Sequence, residues 1–125
     1  DRTLVVCDKI DFDVARRATI VLLQREDRPD AILAFNDIIT YAAFDAIKEM
    51  NLRIPEDVAI IGFTDGDNAA FVTPSLSAIM DQAHIQGNKA CGLLMRSING
   101  DRCIYKEVVP MILKIRESSE KNQSK

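Results

Sequence analysis

AILAFNDIITYAAFDAIKEMNLRIPEDVAIIGF, residues 31–63, sets two apolar runs on either side of a long stretch with helical spacing. Ala31–Phe35 is short and continuously apolar, which suits a strand buried on both faces. Asn36-Asp37 stops that strand, and Asn is a favoured residue for capping the helix that follows. The helix reaches about Met50, where Asn51 can take the left-handed conformation that ends it. Arg53–Asp57 turns the chain, and Val58–Phe63 is the second apolar run. Strand, helix and strand in this order form one βαβ unit with a parallel strand pair. Open α/β sheets bind ligands beyond the carboxyl ends of their strands. Those ends carry Asn36-Asp37 and Thr64-Asp65, so the unit predicts a polar crevice and, by itself, no catalytic chemistry.

Outward from this unit the pattern continues. Upstream, Thr3–Cys7 reads as a strand, and Asp11 or Asp13 can cap a helix over about Val14 to Glu26. Its apolar side is expected on Val14, Ala18, Val21, Leu22 and Arg25, and Asp27-Arg28-Pro29 ends it. The order β-α-β-α-β argues for a parallel sheet with helices packed on it. Downstream, a polar loop at 64–68 leads through Pro74 to a short extended stretch, Leu76–Met80. Gln82 to Ile98 is helical, with Ile85, Ala90, Leu93, Leu94 and Ile98 as its apolar side. Tyr105–Val109 and Met111–Ile115 are extended pieces flanking Pro110, and Glu117–Lys125 is a polar tail expected to fray.

Composition narrows the function. At 125 residues and 47% hydrophobic content, the chain can build a sizeable core. No apolar run approaches the roughly 20 residues needed to span a membrane. A formal charge of −3 leaves no electrostatic footprint for nucleic acid. Cys7, Cys91 and Cys103 are far apart, without metal spacing, and read as packing or surface thiols of a reducing compartment. His84 is the sole histidine, and there is neither a G-x-S-x-G elbow nor a Gly-rich phosphate loop. Asp65 and Asp67 read as solvated loop carboxylates, with a cation as the other reading. No catalytic residue, metal ligand or cofactor is therefore expected, and the chain is read as a binding module, not an enzyme.

PDAILAFND, the N-L-x-I-P-E-D-V-A-I-I-G-F run, TPSLSAI and the closing ILKIRESS, in this order and at these spacings, resemble the lactose/galactose-repressor (LacI/GalR) family of bacterial transcription regulators. The resemblance covers about Asp11 to Ser119. It implies an α/β fold of the periplasmic-binding-protein-like type I, a parallel sheet flanked by helices, here incomplete and mainly the carboxyl-terminal subdomain of an effector-binding domain. Residues 1–75 would form that subdomain. Residues 76–110 would be a crossover strand and a helix belonging to the amino-terminal subdomain, and 111–125 a return strand and tail. The parent would be a cytoplasmic regulator that binds a small effector, a sugar or a related ligand, between two lobes. It would touch operator DNA only through a helix-turn-helix head absent from this chain. The same core occurs in periplasmic sugar-binding proteins, the alternative reading, which resemble the IPEDV, TPSLSAI and RESS pieces less well.

The crevice residues carry two readings each. Asn36 has a donor and acceptors suited to sugar hydroxyls, or it serves only as a cap; the resemblance implies effector contact. Asp11-Phe12 resembles the family's D-[FW] pair, in which the aromatic flanks effector; the other reading of Phe12 is a core ring. The family commonly reads G-[FY]-D-[DN] where this chain has GFTDG. Thr64 thus replaces an effector-binding carboxylate, and either Thr64 hydrogen-bonds in its place or Asp65 takes over.

The central helix also suggests a subunit contact. At about 100° per residue, Ile39, Ala42, Ala43, Ala46 and Met50 share one arc, expected on the sheet, while Tyr41 and Phe44 point the other way. Aromatics are enriched at interfaces. Family members pair through this helix and the loop before TPSLSAI, so the resemblance implies a homodimer through Tyr41, Phe44 and Phe71. The other reading is that another part of the same chain covers that face.

Overall fold

The computed structural model describes residues 9–64, 67–103 and 106–120. The expected strand Thr3–Cys7 lies outside them. The elements are helix α1 (Phe12–Leu23), strand β1 (Ala31–Ala34), helix α2 (Asp37–Glu49), strand β2 (Ala59–Phe63), a 3-10 turn (Asp67–Ala70), strand β3 (Ser77–Met80), helix α3 (Ala83–Ile98) and strand β4 (Ile112–Lys114). The sheet order is β1-β2-β3-β4, parallel through β3, with β4 antiparallel at the edge.

Local chemistry explains the boundaries. Asp11 caps α1, its carboxylate accepting from the Val14 amide at 3.0 Å. Asn36 caps α2 in the same way. Asn51 ends α2 with φ 56°, and the Leu52 N–H reaches back to the Ile47 carbonyl at 3.1 Å. Inside the next turn, Asp57 accepts from the Arg53 amide and guanidinium at 2.8 and 2.9 Å.

The core lies between the sheet and α2, around Leu23, Ala43, Phe44, Ile47, Val58, Ile60, Ala69, Leu76 and Ala78. Each fully buried Leu or Ile in it contributes about 1.5–3 kcal/mol. Gly62 is required where α2 crosses β2, since a Cβ there would run into the Thr40 side chain. α1 packs on α2. Arg16 bridges the two helices, pairing with Asp45 at 2.9 Å and also with Glu49.

Several expectations are corrected. α1 begins at Phe12 and stops at Leu23. Its buried residues are Ala15, Thr19 and Leu23, one position away from the expected side, and Val21 is exposed. The shift follows from the packing partner: the inward face of α1 meets another helix, α2. β1 is buried on one face only, with Leu33 65% and Phe35 73% exposed, because α2, the helix that packs on β1 and β2 among the described residues, lies on its other side. Register places Leu33, Ile61, Phe63, Ile79 and Leu113 together on that open face. α2 buries a wider arc than one stripe: Thr40 and Ile47 are fully buried beside Ala42, Ala43 and Ala46. Phe44 is 5% exposed and belongs to the core, correcting its expected outward position. Nor does the tail fray at its start, since Ser118 is fully buried. α3 forms as expected, yet buries no residue.

Candidate ligand-binding site

The last register pair of β1 and β2 is Ala34 with Gly62, so the two chains leave the sheet side by side. Phe35 and Phe63 come next. Their rings tilt at 46° with centroids 6.4 Å apart, within the range of a favourable aromatic pair. One residue further are Asn36 and Thr64.

Asn36 is half-buried and extended at φ −150°. Its Oδ1 accepts from the Ile39 amide at 2.9 Å, and its carbonyl accepts from the Thr40 amide and hydroxyl at 2.8 and 2.6 Å. The cap therefore uses the oxygen side and turns the Nδ2 amide into the donor left for another group. The amino end of α2 adds partial positive charge, offset by Asp37 in the first turn. Thr64 is 5% exposed, and its N–H donates to the Ile79 carbonyl at 3.2 Å, tying this end of β2 to β3. Asp65 lies outside the described residues.

Asp11 and Phe12 are carried by a different element, the amino end of α1. Phe12 is 41% exposed, which removes the core reading of its ring. Sequence reasoning passed over Phe35 and Phe63, absorbed into apolar strand runs. The available signal was an aromatic at the last apolar position of both runs, immediately before the polar residues. Of the remaining interface residues, Phe71 is 80% exposed, while Tyr41 is half-buried against the core and its hydroxyl has no hydrogen-bond partner among the described residues.

The arrangement offers a ring pair, an amide, a hydroxyl and a helix terminus, all suited to holding a neutral polar ligand. His84, Cys91 and Cys103 are exposed. Among the described residues no group of three His, Cys, Asp or Glu side chains is placed to hold a metal. No helix among them is long and apolar enough to cross a membrane. A separate hollow of about 240 Å³ lies between α3 and residues 106–109, where Lys89 and Glu107 pair at 2.6 Å.

A mainly parallel sheet with a helix packed on it and polar residues at two adjacent strand ends is the frame of an α/β ligand-binding lobe. Residues 3–119 match the periplasmic binding protein-like domain family. The chain is 42% identical over 79 residues to the lactose operon repressor of Rhizobium radiobacter, covering 63% of this chain and 70% of that protein. It is 36% identical over 90 residues to the HTH-type transcriptional repressor PurR of Aliivibrio salmonicida, covering 70% of this chain and 27% of the repressor. Among solved structures, a LacI family transcriptional regulator from Arthrobacter sp. FB24 in complex with lactose superposes with a TM-score of 0.81 at 28% identity, over 94% of this chain and 44% of that one. The chain therefore belongs to the periplasmic binding protein-like domain family, in its LacI/GalR branch of transcription regulators. It spans about a quarter of the PurR repressor's length.

Proposed function

We propose that this chain is the effector-binding and dimerisation part of a cytoplasmic, DNA-binding transcription regulator, and that its effector is a sugar or a related polyhydroxylated small molecule. The observation that carries the reading is the pairing of Phe35 and Phe63 directly before Asn36 and Thr64 at two adjacent strand ends. A sugar offers an apolar face to such rings and hydroxyls to such polar groups. The lactose bound in the Arthrobacter regulator supports the same class of ligand. In this reading Asn36 and Thr64 contact the effector, with Asp65 beside them and Asp11 and Phe12 flanking it from α1. Residues 1–75 form one subdomain, 76–110 cross to the other, and 111–125 return. Effector binding acts on operator affinity by favouring one arrangement of two lobes. The reading assigns no catalysis, cofactor or membrane contact to the chain.

The test is calorimetric titration of the whole protein with a panel of mono- and disaccharides, alongside purine bases as controls. Saturable heat with a saccharide, accompanied by a change in operator affinity, is the expected outcome. Binding confined to the purines, or no binding across the panel, refutes the sugar assignment.

A further inference from the structure

Thr40 stands at the end of the first turn of α2, polar and fully buried. A buried hydroxyl needs a partner, and Ala would suit the helix better if propensity alone decided the position. The partner is the residue that caps the helix. Thr40 Oγ1 donates to the Asn36 carbonyl at 2.6 Å, and that carbonyl also accepts from the Thr40 N–H at 2.8 Å. The methyl branch lies against Gly62, whose lack of a Cβ makes room for it. Gly62 of β2 is paired with Ala34 of β1, the last register pair of the two strands. One side chain thus bonds to the residue just beyond β1 and packs on the end of β2.

This contact sits directly beneath the two polar strand ends, since Asn36 follows Ala34 by two residues and Thr64 follows Gly62 by two. Three hydrogen bonds hold Asn36. Its carbonyl takes the N–H and the hydroxyl of Thr40, and its Oδ1 takes the Ile39 N–H at 2.9 Å. The two amide bonds are those any capping Asn makes at the start of a helix. The hydroxyl bond is the one this helix adds, and Gly62 sets the place of the side chain that makes it. With carbonyl and Oδ1 both tied, the direction of Nδ2 is set in advance. A side chain ordered beforehand loses less freedom when a ligand arrives.

We propose that Thr40 is a positioning residue of the effector site. It touches no ligand; it fixes the Asn36 amide relative to the Thr64 strand end by bonding to one and packing beneath the other. The inference rests on the reading of Asn36 as an effector contact, and Asn36→Ala is included in the test so that each can fail by itself.

The test is calorimetry of the whole protein with glucose, galactose, lactose and cellobiose. Thr40→Val keeps the branched shape against Gly62 and removes only the hydroxyl. The Asn36 carbonyl retains the N–H of residue 40, so no buried group is orphaned and the fold is kept. Saccharide binding is expected to weaken by about two- to fivefold, and by no more than in Asn36→Ala. In the Asn36→Ala background the same change is expected to leave affinity as it is, because no amide remains to be positioned. Thr40→Ser, which keeps the hydroxyl, is expected to return most of the affinity. An equal loss in both backgrounds, or Thr40→Ser as weak as Thr40→Val, would make Thr40 a structural residue only and overturn the proposal. Unchanged affinity in Thr40→Val, with Asn36→Ala weakened, overturns it while the site reading stands. If Asn36→Ala binds as the parent does, or the parent binds none of the four sugars, the site reading itself fails and the role of Thr40 falls with it.

Discussion

Asn36 has its Oδ1 committed to the Ile39 amide, so capping and ligand binding fall on opposite ends of one side chain. The two roles can be separated by measurement. Asn36→Ala removes the cap and is expected to lower stability by about 0.5–2 kcal/mol. If Nδ2 also meets effector, calorimetry on the folded variant of the whole protein shows about two- to tenfold weaker binding, the scale of one lost hydrogen bond to an uncharged group. Equal affinity would remove Asn36 from the site. The cap was legible in the sequence because an Asn directly before a helical run has few alternatives. Gly62 was not legible, because its need arises only from where α2 crosses β2. Its missing Cβ would lie 2.9 Å from Thr40 Cβ, and its nearest atom would be Thr40 Cγ2. Gly62→Ala is therefore expected to cost about 1–3 kcal/mol through overpacking. Adding Thr40→Ala should return part of that loss in denaturant titrations, and a double variant no better than the sum of the singles would place the strain elsewhere.

Elements were legible where one local signal decides them, and mistaken where two neighbours compete for a face. The βαβ unit follows from Asn36, Asn51 and two apolar runs, and the structure has each in place. The face of α2 did not follow, because a single arc assumes a single neighbour. With the sheet on one side, α1 on another and the turn at Ala69 closing a third, the buried arc widens to include Phe44. Lys48 fixes this closure: its ammonium lies 5.3 Å from the Phe44 ring centroid and donates to the Thr73 carbonyl at 2.9 Å. The Arg53–Asp57 turn between α2 and β2 carries a pH dependence. The side-chain hydrogen bonds from Arg53, followed by its backbone N–H, hold the Asp57 carboxyl well below the usual carboxylate range. A depressed folded-state value contributes stability that is present above the unfolded carboxylate range, near pH 4, and is lost as pH falls below it. Asp57→Asn is expected to be less stable than the parent at pH 7, with the gap narrowing as pH drops from about 4 toward 2. A gap that stays constant over that interval would rule out the ionised pair as its source.

At the scale of the whole molecule, the sequence states what its faces need without saying what covers them. The apolar run at 31–35 asks for cover on both sides, and the side carrying Leu33 and Phe35 is open among the described residues. α3 likewise presents Leu94, Met95 and Ile98, all more than half exposed. Phe71 is a different case, since it stands in a loop held to α2 through Lys48 and Thr73 and is 80% exposed. With Phe44 withdrawn into the core, the proposed subunit contact narrows to Phe71 and the exposed edge of Tyr41. This change decides which variant tests it. An Asp at position 44 would bury a charge and unfold the chain, whereas an exposed side chain such as Phe71 can be replaced with a stability change within about 0.5 kcal/mol. In a dimer the same carboxylate would be buried without a partner, at a cost of several kcal/mol per charge, and the symmetric contact applies it twice. Phe71→Asp in the whole protein is therefore expected to sediment as a monomer with an unchanged melting temperature. If the variant remains dimeric the contact lies elsewhere on the surface, and if the parent itself sediments as a monomer the loop at Phe71 has no such role.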